Sequence, residues 1–372
     1  MEAMGYINGD GDWQKSIVVI FLRGGADGLH LVVPVGDAAY YRARPLIGVS
    51  GDKAYKLDHV YALHPRLASL GPLYKEGQLA VVHKAGSEDS TRSHFEAQDM
   101  MEHGGDTGGW LGRYLRHRPG REPGALAAVA IGKTMPESLR GAPGAVAMES
   151  LEEFGLGREA EPFMNAIARM YEGETDPLGV SARQTLTALQ RLESFQKKAY
   201  VPSGNAVYPA DRFGQGMQQI ARLIKSRVGM EAACIDLDGW DSHFAQGSLV
   251  DPLMGSLADG LAAFRRDLGS LMKHTTVVVM TEFGRRTYEN ASLGTDHGRG
   301  SVMFVLGSDV KGGRVFGEWK GLDKEPLDGP GDLPVEHNYR DVIAPVMALH
   351  SGFREMDRVF PSYSINPLGL YG

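Results

Sequence analysis

The 372 residues exceed the ~250–300 at which a single hydrophobic core usually stops growing, so one large domain with insertions, or two domains, is expected. A 42% hydrophobic and 23% charged composition, with a mean hydropathy of −0.23, excludes a mainly disordered or polytopic membrane chain. The net charge of −7 offers no field for nucleic acid, and the single cysteine, Cys234, excludes an internal disulfide and a cysteine zinc cage, leaving His, Asp and Glu as the ligand pool. The 49 glycines and 19 prolines, about 18% of the chain against a usual ~12%, predict a loop-rich protein.

Residues Met1–Lys15 show neither a basic leader nor an apolar export segment, and no apolar run approaches the ~18 residues that cross a bilayer. The first strand is expected at Ser16–Leu22, a continuous β-branched and apolar run of the kind buried on both faces of a parallel sheet. It ends in a Gly-rich turn carrying Asp27. A helical segment, Pro65–Lys75, leads to a second apolar run, Leu79–His83, and further strands are expected at Ala127–Ile131, Ala232–Asp236, Thr275–Met280 and Val302–Leu306. Between them, apolar residues recur every three or four positions at Glu161–Glu172, Ser181–Tyr200, Arg212–Val228 and Leu249–Lys273, which predicts helices. Gly104–Gly124 and Lys311–Pro334 read as loops. Strands alternating with helices predict an α/β fold with a doubly wound, largely parallel sheet covered on both faces. A single domain over 1–372 is favoured, with a helical cap insertion at about 151–228.

Ligands on such sheets bind at the carboxyl ends of the strands, and polar residues gather at several of these ends. Asp27 follows the first strand. Asp238-Gly-Trp-Asp241-Ser-His243 follows the Ala232 strand, with carboxylates and an imidazole of the type that hold zinc or manganese. Asp296 and His297 lie in a Gly-flanked loop, and the Thr275 strand is followed by Glu282, a metal ligand or an ion-pair anchor for a neighbouring arginine, and by Arg285 and Arg286, either of which would supply the cation for an anion. Ser90, Thr91 and Ser93 are candidate nucleophiles. Ser93 with Glu96 has the form of a capping box, and a hydroxyl at a helix N-terminus faces free amides that favour an anionic substrate. His94 is a candidate ligand or base, Arg92 a candidate fork for phosphate or sulfate, and His337 a late candidate ligand. His64 and His83 read as structural.

Seven motifs in order carry a resemblance: FLRGGADG at Phe21–Gly28, LHP at Leu63–Pro65, SHFEAQD at Ser93–Asp99, GWLGR at Gly109–Arg113, GWDSH at Gly239–His243, TEFGR at Thr281–Arg285 and DHG at Asp296–Gly298. Together they resemble the bacterial family known as domain of unknown function 1501, which is similar in fold to the alkaline phosphatase and sulfatase superfamily. The resemblance spans about Ser16 to about Leu349. It implies a three-layer α/β/α sandwich of alkaline-phosphatase type with two divalent metal ions at the carboxyl edge of the sheet, zinc first, with manganese, magnesium or calcium as alternatives. Asp27 would share one ion with Asp296 and His297. Asp241 and His243 would hold the other, with Glu282 or His337 as a third ligand; here the spacing is Asp-x-His where alkaline phosphatases have Asp-x-x-x-His. Ser93 would be the nucleophile, with Ser90, Thr91 or metal-bound water as alternatives, and Arg92 or Arg285 would hold the oxyanion.

The implied activity is metal-dependent hydrolysis of phosphate or sulfate esters on a small or polymer-borne anionic substrate. Two other readings are an inactive, exported binding protein and a metal-dependent phosphomutase or transferase. The resemblance also implies export to the periplasm. No nucleic-acid partner and no membrane span are expected, and the oligomeric state is open.

Overall fold

The computed structural model describes residues 14–120, 124–152, 160–173, 176, 178–179, 182–183, 185–187, 189–190, 199–324 and 326–371. Most of the helix expected at Ser181–Tyr200, nearly all of Met1–Lys15 and part of the cap segment 151–228 lie outside the described residues. The described strands are β1 (Ser16–Arg23), β2 (Val32–Val33), β3 (Tyr55–Lys56), β4 (Ala62–Leu63), β5 (Leu79–Gly86), β6 (Ala128–Ile131), β7 (Ala145–Met148), β8 (Ala232–Asp238), β9 (Thr275–Thr281), β10 (Ser301–Leu306), β11 (Arg314–Phe316) and β12 (His337–Asn338). Nine form the main sheet, in the order β11-β5-β10-β9-β1-β8-β6-β7 with β12 also on β5; β2, β4 and β3 make a small antiparallel sheet.

The apolar runs become the central strands because both faces are covered. Along β1, Val18, Ile20 and Leu22 enter a core with the helices Arg212–Lys225 and Gln246–Leu268. Ile17, Val19 and Phe21 point the other way, into a core with Trp110–His117 and Tyr339–Ser351. Two cores on opposite faces of one sheet make the expected three-layer α/β/α sandwich, and burying each such side chain contributes roughly 1.5–3 kcal/mol. The helix expected at Leu249–Lys273 starts earlier, at Gln246, and stops at Leu268, where Gly269 turns to φ +53° and a 3-10 turn, Gly269–His274, takes over.

One strand departs from the parallel pattern. β10 is antiparallel to both β9 and β5, because no crossover helix separates it from β9: the chain reverses through the loop 282–300. That whole loop therefore lies at the edge where β1, β8 and β9, mutually parallel neighbours, end at Arg23, Asp238 and Thr281.

Candidate functional site

The three strand-end loops are pressed together. Gly24, at φ +122°, lies so near the next loop that a Cβ there would sit 2.5 Å from the Asp241 amide nitrogen, and only glycine serves. Arg285, 1% exposed, clasps all three loops. Its Nε donates to the Gly25 carbonyl at 2.7 Å and its Nη1 to the Thr295 carbonyl at 3.0 Å; its Nη2 reaches the Gly24 carbonyl and, at 2.6 Å, Asp241 Oδ1. The guanidinium expected to hold a substrate anion is thus committed to backbone carbonyls and Asp241.

Around Asp241 stand three imidazoles, His94, His243 and His297. Each presents Nδ1 to an acceptor: His94 to Glu282 Oε1 at 2.8 Å, His243 to Asp296 Oδ1 at 3.2 Å, and His297 to the Arg92 carbonyl at 2.9 Å. An acceptor at Nδ1 places the proton there and leaves Nε2 as a lone pair, the arrangement that outer partners impose on metal-bound histidines. All three Nε2 atoms face the Asp241 carboxylate, at 3.2 Å from Oδ1 for His243, 3.4 Å from Oδ1 for His297 and 3.6 Å from Oδ2 for His94. His243 Nε2 and His297 Nε2 are 2.9 Å apart. Donors held ~2.0–2.2 Å from one ion are separated by roughly 3–3.6 Å, and the separations of His94 and His297 from Asp241 suit a single divalent cation. His94 Nε2 is buried and has no hydrogen-bond partner. Phe283 packs on the rings of His94 and His297, 4.8 Å from each. The side chains of Asp241 and His243 keep 48% and 41% of their exposure, so the cluster opens to solvent on their side.

Electrostatics favours charged carboxylates here. Burial works against ionisation of Asp241, but the hydrogen bond and charge of Arg285 more than offset it and hold the carboxyl below its ordinary value. Glu282, buried more deeply, is likewise held low by donors from His94 and Gln98. Burial, then the Arg285 charge, lowers the pKa of His297 and keeps its ring neutral.

The other expected residues take different places. Asp27, 4% exposed, accepts from Arg44 Nη1 at 2.6 Å and Nη2 at 3.0 Å, from Gln246 at 2.8 Å and from the Leu29 amide at 3.1 Å. Its oxygens are filled by these donors, and none of them comes from Asp296 or His297. Asp296 holds the His243 ring and accepts from Asn290 at 3.3 Å, while Glu282 holds the His94 ring; both orient imidazoles. His337 lies on β12 beside Ala85 of β5, outside the cluster. Among the described residues, His94, Asp241 and His297 converge on one centre, and His243 joins it from the side of Asp241 and His297; the resemblance implies two ions. Arg92 has φ +56°; its carbonyl takes the His297 proton, while its guanidinium forks onto buried Asp332 at 2.8 and 2.6 Å and is not free for a substrate. Ser93 is the N-cap of the helix His94–His103 but makes no side-chain cap bond, so the capping box with Glu96 does not form. Thr91 is exposed and bonds Asp89, and Ser90 is exposed.

Sequence reasoning missed Arg44, Gln246, Asn290, Gln98 and Phe283. The last two lie inside quoted motifs, which is a usable signal; Arg44, Gln246 and Asn290 stand in no recognisable pattern.

Comparison with solved structures finds the C-terminal periplasmic domain of EcEptC from Escherichia coli in complex with Zn at 10% identity, covering 96% of this chain and 90% of that one with a TM-score of 0.38. The PsFucS1 sulfatase from Pseudoalteromonas sp. matches at 12% identity, 91% and 68% coverage and a TM-score of 0.39. A phosphonate monoester hydrolase of Agrobacterium radiobacter matches at 10% identity, 83% and 71% coverage and a TM-score of 0.32. No curated protein matches the sequence. The family described as Protein of unknown function (DUF1501) matches residues 64–347, more than half of the length, and the chain belongs to that family.

Proposed function

We propose that the chain is a metal-dependent hydrolase of phosphate or sulfate esters, with one divalent ion, zinc by preference, held by His94, Asp241, His243 and His297. The observation that carries this reading is the common orientation of the three imidazoles, each anchored at Nδ1 and each turning Nε2 toward Asp241. Three nitrogens and one carboxylate suit zinc better than magnesium or calcium, which prefer oxygen. A divalent ion in this place supplies Lewis acidity to an ester oxygen and lowers the pKa of a nearby hydroxyl.

Ser93 is the nucleophile in this reading. It sits between Arg92, whose carbonyl touches His297, and His94, and its hydroxyl is not taken by the helix cap. Its Oγ bonds to phosphorus or sulfur as the bond to the alcohol oxygen breaks, the serine proton passing through solvent water to the departing alkoxide. A second water then attacks phosphorus or sulfur, the Oγ bond breaks, and a proton from that water restores the serine hydroxyl as phosphate or sulfate leaves. With Arg285 and Arg92 committed, the cation for the substrate in this reading is Arg286, 26% exposed, which would have to leave Asp296, 3.5 Å from its Nη1, to meet it. Among the described residues no helix is long and apolar enough to cross a membrane; the exported location rests on the resemblance.

The test is paired. Dialysed wild type should retain one more equivalent of zinc than His297→Ala, and zinc-loaded wild type should turn over aryl phosphates, phosphonates or sulfates. A second reading, a binding protein without turnover, is favoured by one observation: arginines sit on both Asp241 and Asp27. Zinc retention equal to that of His297→Ala would sink the metal centre; retention without turnover would leave the binding protein.

A further inference from the structure

A second convergence lies away from that centre. His30 is on the one-turn helix Gly28–Leu31, His64 heads the 3-10 turn Pro65–Leu70, and Asp251 is in the helix Gln246–Leu268. His30 Nε2 is 3.6 Å, and His64 Nε2 3.7 Å, from the same oxygen, Asp251 Oδ1, and the two rings are 4.7 Å apart. Together these atoms form one of the groups able to hold a metal ion.

What sets the cluster apart is unmet bonding capacity. His30 is 4% exposed, yet neither of its ring nitrogens has a hydrogen-bond partner, and Asp251 Oδ1 has none either. Polar atoms buried without partners cost free energy, and several of them aimed at one point are the signature of a missing ligand. All three residues line a cavity of about 500 Å³ that also carries Lys53, Arg66 and Ser248.

We propose that His30, His64 and Asp251 form a second divalent-cation site, a two-histidine, one-carboxylate set whose remaining coordination positions face this cavity. Separations of 3.6 and 3.7 Å suit donors ~2.1 Å from a common ion. Two imidazoles select zinc or a neighbouring first-row ion over magnesium and calcium. The Arg66 amide donates to His64 Nδ1 at 3.2 Å, so the neutral ring of the ion-free protein carries its proton on Nε2. Ion binding at Nε2 would move that proton to Nδ1 and break the hydrogen bond from the Arg66 amide, which would then need another acceptor. Arg66, 63% exposed and 3.9 Å from Asp251 Oδ2, gives way without loss of packing. The ion would join three segments distant in the chain: His30 closely follows Asp27, and Asp251 closely follows Gln246, the residue that donates to Asp27.

Crystals soaked in zinc and measured at the zinc absorption edge test the site in the wild-type protein. An anomalous peak bonded to His30, His64 and Asp251 is the expected result; its absence overturns the proposal. In solution, His30→Gln/Asp251→Asn should retain one equivalent of zinc fewer than wild type. His297→Ala should lose a different equivalent, and the combined variant both. Unchanged zinc in a folded His30→Gln/Asp251→Asn variant also overturns it, and leaves the His297-dependent equivalent, and with it the proposed function, to stand or fall separately.

Discussion

Replacing Arg44 by methionine tests whether Asp27 is a strut or a ligand. The Asp27–Arg44 pair is almost wholly buried, with side-chain exposures of 4% and 0%, and is held by two hydrogen bonds. Arg44 also donates to the Thr287 and Arg286 carbonyls at 2.9 and 2.8 Å. Removing one partner of a buried pair strands the other charge and costs about 3–5 kcal/mol. With a urea m value near ~3 kcal/mol/M, the unfolding midpoint should fall by about 1–1.7 M, read by tryptophan fluorescence. Adding Asp27→Asn should recover at least ~2 kcal/mol, since no charge then remains unpaired.

The pH dependence has a definite sign. Burial opposes ionisation of Asp27, but the Arg44 charge and hydrogen bonds overcome it, so the folded pKa lies below the unfolded value. The pair therefore stabilises the wild type fully above that unfolded value, ~3.9, and loses its contribution as the pH falls through the folded pKa. In Arg44→Met the stranded carboxyl is relieved by protonation, so the gap between variant and wild type should shrink from pH 7 toward pH 4. A cost under about 1 kcal/mol, a gap independent of pH, or the loss of one equivalent of zinc in Asp27→Asn would refute the reasoning.

Glu282→Ala removes the acceptor that sets the His94 proton, and should weaken zinc binding about 10–100-fold in chelator competition, with the other ligands intact. Ser93→Ala should abolish ester turnover while zinc retention stays at the wild-type level; Ser90→Ala and Thr91→Ala should keep turnover. Gly24→Ala forces a side chain into the left-handed region and against the Asp241 amide, and should cost at least ~1–3 kcal/mol in urea denaturation, with loss of zinc affinity because Asp241 is displaced.

The sheet was legible because fully buried strands are written as unbroken apolar runs: Ser16–Leu22 and Thr275–Met280 need no partner to be recognised. Direction is another matter. Val302–Leu306 reads the same whether it runs with β9 or against it, and only the lack of a helix in 282–300 hints at the reversal. The short β7, β11 and β12 are too brief to leave a pattern. Within the site, His94, Asp241, His243 and His297 stand out by residue type and by place at strand ends. Sequence cannot say whether a carboxylate such as Glu282 or Asp296 turns toward an ion or toward a neighbouring ring, since both uses need the same residue at the same spacing. Nor does it show that Asp27 is matched by Arg44, or that His30 meets Asp251, because those encounters are products of the tertiary fold alone.

The Arg285 clasp has a consequence for local motion. Strand-end loops ordinarily open on their own, well below the free energy of global unfolding, and exchange their amide hydrogens early. Here the turns after β1, β8 and β9 are fastened by one buried guanidinium and by backbones in direct contact at Gly24. The amides from Gly24 to Ala26 and from Trp240 to Ser242 should therefore exchange as slowly as the strands they follow. An edge so held keeps one shape, whatever binds there.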